Sequence, residues 1–286
     1  MITREQIKSG VSKQTLKVLA SGPAGSGKTF LGFTFPKIAY LATEPNGLDT
    51  ARSNPALLEN LVWADEFLPK EVLTDEKGIV KLVLDSAGEI VSEPISATFA
   101  RLDKAITQAH QDFADGKVET LFIDNGTFLL ENRWIYINRH EKLTTTSGAL
   151  DTRGMYGILG RWAYTWIITK VLSFKGNVIM TTHEQTEGEE AMEKKIDKSM
   201  VISPALLGGI RNEIGGMFSA HIFLDKKRKA DNVYAYTARC QKGANREAKN
   251  RYNLPEIVEN VSYQTILNSI GKGVGASGVK PGGVQA

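Results

Sequence analysis

Four nearly continuous apolar runs, at residues 16–20, 37–44, 120–124 and 178–182, mark the chain, and each gives way to polar residues. They have strand length and no polar face, so they are expected to be buried on both sides, as in a parallel sheet. Between them the spacing turns helical. Phe99, Leu102, Ile106, Ala109 and Phe113 predict a helix that Asp115-Gly116 ends. Residues 158–174 predict a second, with Trp162, Trp166 and Ile167 on or near its apolar face, and Gly176-Asn177 closing it. A short helix over 29–35 stops at Pro36, and a glycine-containing one covers 206–218. Residues 220–224 and 233–240 alternate as antiparallel strands around a basic turn.

The remaining segments are polar. Residues 61–95 carry short apolar stretches separated by turn residues and read as a β-hairpin insertion. Residues 139–154 interrupt the pattern, and 185–198 are charged and aperiodic, as in a mobile loop. The fold class predicted is α/β: a mostly parallel sheet flanked by helices, with an antiparallel edge hairpin. One domain is expected over 16–268, after a polar segment (1–15). A tail (269–286), Gly-rich from Gly271 onward, is expected to be disordered.

The run Gly22-Pro23-Ala24-Gly25-Ser26-Gly27-Lys28-Thr29 fits G-x-x-x-x-G-K-[ST], the phosphate-binding P-loop, and lies between the first strand and a helix, where that motif belongs. Its glycines let successive backbone N–H groups curl around an anion, and the helix N-terminus adds partial positive charge. Lys28 can reach the β- and γ-phosphates of a nucleotide, and the Thr29 hydroxyl can ligate Mg²⁺.

In an open α/β sheet, reactive groups gather at the carboxyl ends of the strands. Here those ends carry Glu44, Asp124-Asn125 and Thr182-His183-Glu184. Asp124 fits the Walker B role, holding Mg²⁺ directly or through water. Position 125 is not a second acid, so Glu44 is the candidate for orienting the attacking water. His183 stands where a polar group could respond to the γ-phosphate. The same residues also fit a cap (Asp124), a solvated acid (Glu44) and a structural histidine (His183).

Composition narrows the setting. Cys240 is the single cysteine, which excludes an intrachain disulfide, and the histidines show no zinc-ligand spacing. No apolar run reaches spanning length and the N-terminus has no signal-peptide core, so a soluble, cytoplasmic protein without membrane contact is expected. Charge is uneven. Between Asp225 and Arg251 nine basic residues face three acids, a local +6 against +3 overall. Such a patch can neutralise nucleic-acid phosphates, supply Arg239, Lys242 or Arg246 as a finger to a neighbouring subunit's nucleotide, or be a solvated hairpin.

The order P-loop, Glu44, Asp124, polar fourth strand end and basic hairpin resembles the RecA-like P-loop NTPase core. Residues 40–49 look like the RecA-family segment whose acid activates water, with Glu44 in that position. Ala42-Thr43-Glu44-Pro45, Leu121-Phe122-Ile123-Asp124, Val178-Ile179-Met180-Thr181-Thr182-His183-Glu184 and Pro204-Ala205-Leu206-Leu207-Gly208 resemble a bacteriophage family of small RecA-like ATPases that includes single-strand annealing recombinases. The resemblance implies ATP and Mg²⁺ as cofactors and single-stranded DNA as partner. It also implies a homo-oligomeric ring or filament, a single-strand-binding protein as a further partner, and a host-cell cytoplasm. By the same analogy residues 139–154 and 185–203 are DNA-binding loops. The second departs from the family in being acidic at Glu187, Glu189, Glu190 and Glu193, and His183 takes the place of the recombinase glutamine, with Gln185 close by. The function implied is Mg²⁺-dependent ATP hydrolysis on single-stranded DNA in phage recombination or replication. An ATP-switched DNA-binding module with little hydrolysis and a P-loop small-molecule kinase are the alternatives.

Overall fold

The computed structural model describes residues 15–71, 74–77, 79, 81–141, 143–186, 202–207, 209–228, 234–242 and 248–272. The first apolar run forms β1 (Lys17–Ser21), and the loop that follows leads into α1 (Lys28–Phe33). The second forms β2 (Ile38–Ala42). A short helix α2 (Asp49–Arg52) and a 3₁₀ turn (Pro55–Asn60) then lead to β3 (Leu61–Glu66). A small hairpin of β4 (Val83–Leu84) and β5 (Ile90–Ser92) precedes the long helix α3 (Ile95–Ala114). Next come β6 (Thr120–Asp124), α4 (Gly126–His140), α5 (Thr152–Trp166) with a π-helical extension (Ile167–Val171), and β7 (Asn177–Thr182). Beyond a short pair, β8 (Glu184–Thr186) and β9 (Ile202–Pro204), lie α6 (Ile210–Met217), β10 (Ala220–Arg228) and β11 (Tyr234–Arg239). β12 (Lys249–Asn250), β13 (Ile257–Glu259) and α7 (Tyr263–Ser269) complete the described chain.

The main sheet runs β13-β11-β10-β1-β7-β6-β2-β3, with β12 also on β10. From β10 to β3 every pairing is parallel, whereas β11, β12 and β13 join antiparallel. This is the α/β arrangement the sequence predicts: a mostly parallel sheet flanked by helices, with antiparallel strands at one edge. The register aligns the carboxyl ends: Ser21 lies opposite Thr182, and Ala42 opposite Asp124. The chemistry-bearing residues therefore emerge at one edge of the sheet.

The strands are apolar throughout because both faces are covered. Leu19, Leu41, Leu121, Ile123, Val178 and Met180 pack with residues of α3, α4 and α5 on one face. Val18, Ala20, Tyr40, Phe122, Ile179 and Ile222 pack with α1 and α7 on the other. α1 lies so close to the sheet that a Cβ at Gly32 would stand 2.1 Å from the Phe122 ring. Phe33 then meets Tyr40 at 4.9 Å and Phe122 at 5.6 Å between ring centroids.

Two expectations change. The reading of 61–95 as a hairpin insertion is corrected: Leu61–Glu66 is the parallel edge strand beside β2, and among the described residues the hairpin is confined to β4 and β5 with an antiparallel bridge between Lys70 and Glu93. Edge exposure explains the error: β3 is only half-buried, and its short run Leu61-Val62-Trp63-Ala64 gives way at once to Asp65-Glu66. Arg101 of α3 ties this edge down through both Asp65 carboxylate oxygens at 3.0 Å and Glu93 at 3.1 Å. The polar interruption at 139–154 is shorter, because α4 runs through His140 and α5 begins at Thr152. Most of the loop expected at 185–198 (187–198), the segment 1–14 and the tail beyond 272 lie outside the described residues. Among the described residues no helix is long and apolar enough to cross a membrane.

Candidate nucleotide-binding site

The loop between β1 and α1 owes its shape to glycine. Gly25 and Gly27 have φ of 73° and 89°, the left-handed region that side chains resist. A Cβ at Gly22 would stand 2.8 Å from the Leu224 carbonyl oxygen, so the loop's first residue is also held to glycine by backbone on β10. Lys28 is 7% exposed and its ammonium curls back on the loop, donating to the carbonyls of Gly22 (2.9 Å) and Pro23 (2.8 Å). Burial lowers its pKa, while Asp124, Glu44 and Glu184 oppose the shift. Ser26 Oγ is buried inside the loop without a hydrogen-bond partner among the described residues. An unsatisfied hydroxyl, a lysine holding only carbonyls and an open backbone curl suit a phosphate chain.

Asp124 closes β6 and is fully buried. Its carboxylate accepts hydrogen bonds from Thr29 Oγ1 at 2.7 Å, Tyr40 Oη at 3.2 Å and Thr181 Oγ1. Burial first, then the charge of Glu44, pushes its pKa up to about 6 despite those three donors. The Tyr40 phenol, buried beside it, is pushed well above its ordinary value. The Thr29 hydroxyl and the Asp124 carboxylate are hard oxygen donors side by side at the foot of the P-loop. That donor set fits Mg²⁺, which takes few protein ligands and completes its shell with water and phosphate oxygens.

Glu44 and His183 come from the ends of β2 and β7 and meet at Asn125, across a cis Asp124–Asn125 peptide. The Asn125 side-chain nitrogen donates to the Glu44 carboxylate and lies 3.2 Å from His183 Nε2. His183 Nε2 and Glu44 Oε2 are 3.7 Å apart. The other end of the Asn125 amide accepts from Phe128 N at 3.1 Å and caps α4. Thr43 Oγ1 donates to the Asn125 carbonyl at 2.5 Å, and His183 N donates to Thr127 Oγ1 at 3.0 Å. Sequence reasoning registered Asn125 only as a missing acid. The signal available was that an asparagine between a strand and a helix is a strong N-cap, with an amide nitrogen left to spend elsewhere.

Lys28, Thr29, Glu44 and His183 line one cleft of about 410 Å³. The sequence did not mark its other walls. One is formed by Thr50, Ser53, Asn54 and Leu57 after β2. The other is Tyr236 of β11, which stacks on Phe30 at 5.8 Å and so closely covers Gly27 that a Cβ there would lie 2.6 Å from its ring. The basic residues expected as fingers or DNA contacts are Arg239, Lys242 and Arg246. Arg239 pairs with Glu256 at 2.6 Å, Lys242 lines a different cleft, and Arg246 lies outside the described residues.

A protein-family model described as an AAA domain matches residues 14–252. No curated protein matches the chain. Among solved structures, a RadB recombinase superposes with a TM-score of 0.39 at 14% identity, over 91% of this chain and 94% of that one. The Legionella pneumophila ATPase DotB superposes with a TM-score of 0.28 at 11% identity, over 84% of this chain and 48% of that one.

Proposed function

The chain belongs to the AAA domain family, and on that premise we propose that it is a Mg²⁺-dependent ATPase acting on single-stranded DNA in recombination or replication. The observation that carries the ATPase reading is that Glu44 and His183, bridged by the buried Asn125 amide, line the same cleft as Lys28 and Thr29, with Asp124 bonded to Thr29 beneath it. Lys28 exchanges its loop carbonyls for phosphate oxygens, and the loop amides with Ser26 Oγ complete the cradle. Mg²⁺ held by Thr29 and Asp124 would neutralise charge on the phosphate oxygens. Glu44 orients the attacking water and receives its proton, with its carboxylate fixed by Asn125. His183, through the same amide, links the carboxylate to the end of β7.

The DNA reading is supported by the +6 charge between Asp225 and Arg251 and by the residue pattern shared with the phage ATPase family, which also suggests a phage setting and a homo-oligomer. The adenine preference rests on the absence of an N-K-x-D guanine signature in the sequence.

The test is Mg²⁺-ATP hydrolysis with and without single-stranded DNA at two salt concentrations. Lys28→Ala is expected to abolish nucleotide binding and turnover together. Glu44→Gln is expected to retain ATP binding and lose about 10²- to 10⁴-fold in kcat. Unchanged turnover in Glu44→Gln would remove that residue from the mechanism. Hydrolysis indifferent to DNA would remove DNA from the reading and favour a protein-driven motor or a kinase.

A further inference from the structure

A second cleft, of about 310 Å³, lies where β9, α6, the start of β10 and β12 meet. Its walls carry Arg211, Lys242 and Lys249, from three separate parts of the chain, and among the described residues no carboxylate lines it. Ser203 is 7% exposed and its hydroxyl, in the cleft wall, has no hydrogen-bond partner among the described residues. The Asn212 side chain is a further polar group in the wall. Cations lining the same cleft as a buried, unsatisfied hydroxyl make a place for an oxyanion. Lys242 and Lys249 belong to the +6 stretch of sequence, and Arg211 joins them from α6. Charge concentrated from several elements suits a polyanion better than a single small anion.

We propose that this cleft binds phosphate groups of a single-stranded polynucleotide backbone. The proposal rests on the DNA reading above and locates its contact surface away from the P-loop. Backbone contacts of this kind position a strand without reading its sequence.

The experiment uses the full chain and a fluorescent oligothymidylate of about 30 nucleotides, titrated at several salt concentrations. The Arg211→Glu/Lys242→Glu variant is expected to bind at least about tenfold more weakly, with a log K against log salt slope shallower by about 1.4. Its thermal shift with Mg²⁺-ATP should match the wild type, which shows that the fold and P-loop survive. If charge reversal prevents folding, single Arg211→Gln and Lys242→Gln changes should each flatten the slope by about 0.7. Wild-type affinity and slope in these variants would overturn the cleft assignment while leaving the DNA reading intact. A wild-type protein that binds no oligonucleotide overturns both. Inorganic phosphate that protects the wild type but not the variant, with no oligonucleotide binding, assigns the cleft to a free anion and overturns the polynucleotide source.

Discussion

Asn125 donates a hydrogen bond to the Glu44 carboxylate, joining the end of β6 to the end of β2 at the mouth of the nucleotide cleft. The same side chain caps α4 through Phe128 N, so one amide serves both a helix and the residue proposed to orient water. The two duties can be separated. Serine caps as well as asparagine, but its shorter side chain carries no separate amide nitrogen to reach Glu44 while its oxygen caps the helix. Asn125→Ser should therefore keep the melting temperature within a few degrees while kcat falls about tenfold or more and ATP affinity barely moves. Asn125→Ala should lose kcat and also about 1 kcal/mol of stability from the missing cap. Steady-state ATPase assays beside thermal melts read both.

Asp124 is a buried carboxyl with its pKa raised to about 6. The sign follows from proton counting: between its ordinary value and about 6 the folded protein holds the proton more tightly than the unfolded chain does. Stability from this group is thus greatest in acid and is lost as pH rises through about 6. Asp124→Asn should raise the melting temperature of the nucleotide-free protein at pH 7.5 relative to wild type, with the advantage vanishing near pH 4. Metal binding requires the ionised carboxylate, so Mg²⁺-dependent stabilisation of the ATP complex should weaken below about pH 6 in the wild type. Thermal melts across pH, with and without Mg²⁺-ATP, decide it. A flat pH response would mean the carboxylate stays charged when buried.

Gly32 makes a prediction about the fold alone. A methyl group there would enter the Phe122 ring at 2.1 Å, in a core where Phe33 and Tyr40 already hold that ring. Alanine has the better helix propensity, but overpacking should win. Gly32→Ala is expected to cost about 1–3 kcal/mol, or roughly 2–4 °C in melting temperature per kcal/mol for a domain of this size. A melt unchanged or raised would show that α1 can lift off the sheet.

How much of this was legible in the sequence depends on burial. β1, β2, β6 and β7 could be read because helices cover both faces and force unbroken apolar runs. The P-loop could be read because anion-binding backbone demands glycine at fixed offsets. β3 could not, because a half-buried edge strand of four apolar residues ending in Asp65-Glu66, which Arg101 holds, looks like the other short apolar stretches around it. The Tyr236 wall was equally hidden: its place over Gly27 follows from β11 sitting two strands from β1, a tertiary pairing with no local mark. The meeting of Glu44 with His183 also depended on register, although each was visible as a strand-end residue.

Ser21 carries the last prediction, which concerns communication between the two clefts. Its hydroxyl is fully buried, 2.7 Å from Thr182 Oγ1 and 2.9 Å from His221 Nε2. On one side, Ser21 precedes Gly22 of the P-loop, whose N–H donates to the Thr182 carbonyl at 3.2 Å. On the other, His221 lines the basic cleft, packed so closely on α6 that a Cβ at Gly215 would stand 2.7 Å from its Nδ1. A single hydroxyl thus joins the base of the nucleotide site to the wall of the proposed DNA site. Ser21→Ala removes it and leaves two buried polar groups without that partner, at a cost of about 1–3 kcal/mol in stability. Both ligands should still bind separately with near wild-type affinity, because neither cleft loses a lining side chain. Stimulation of ATP turnover by single-stranded DNA should drop by about 5- to 100-fold, the range of ordinary coupling energies. The measurement is ATPase rate against oligonucleotide concentration, with each affinity determined separately. Full stimulation in Ser21→Ala would mean that the clefts communicate by another route, through the β7 end or between subunits.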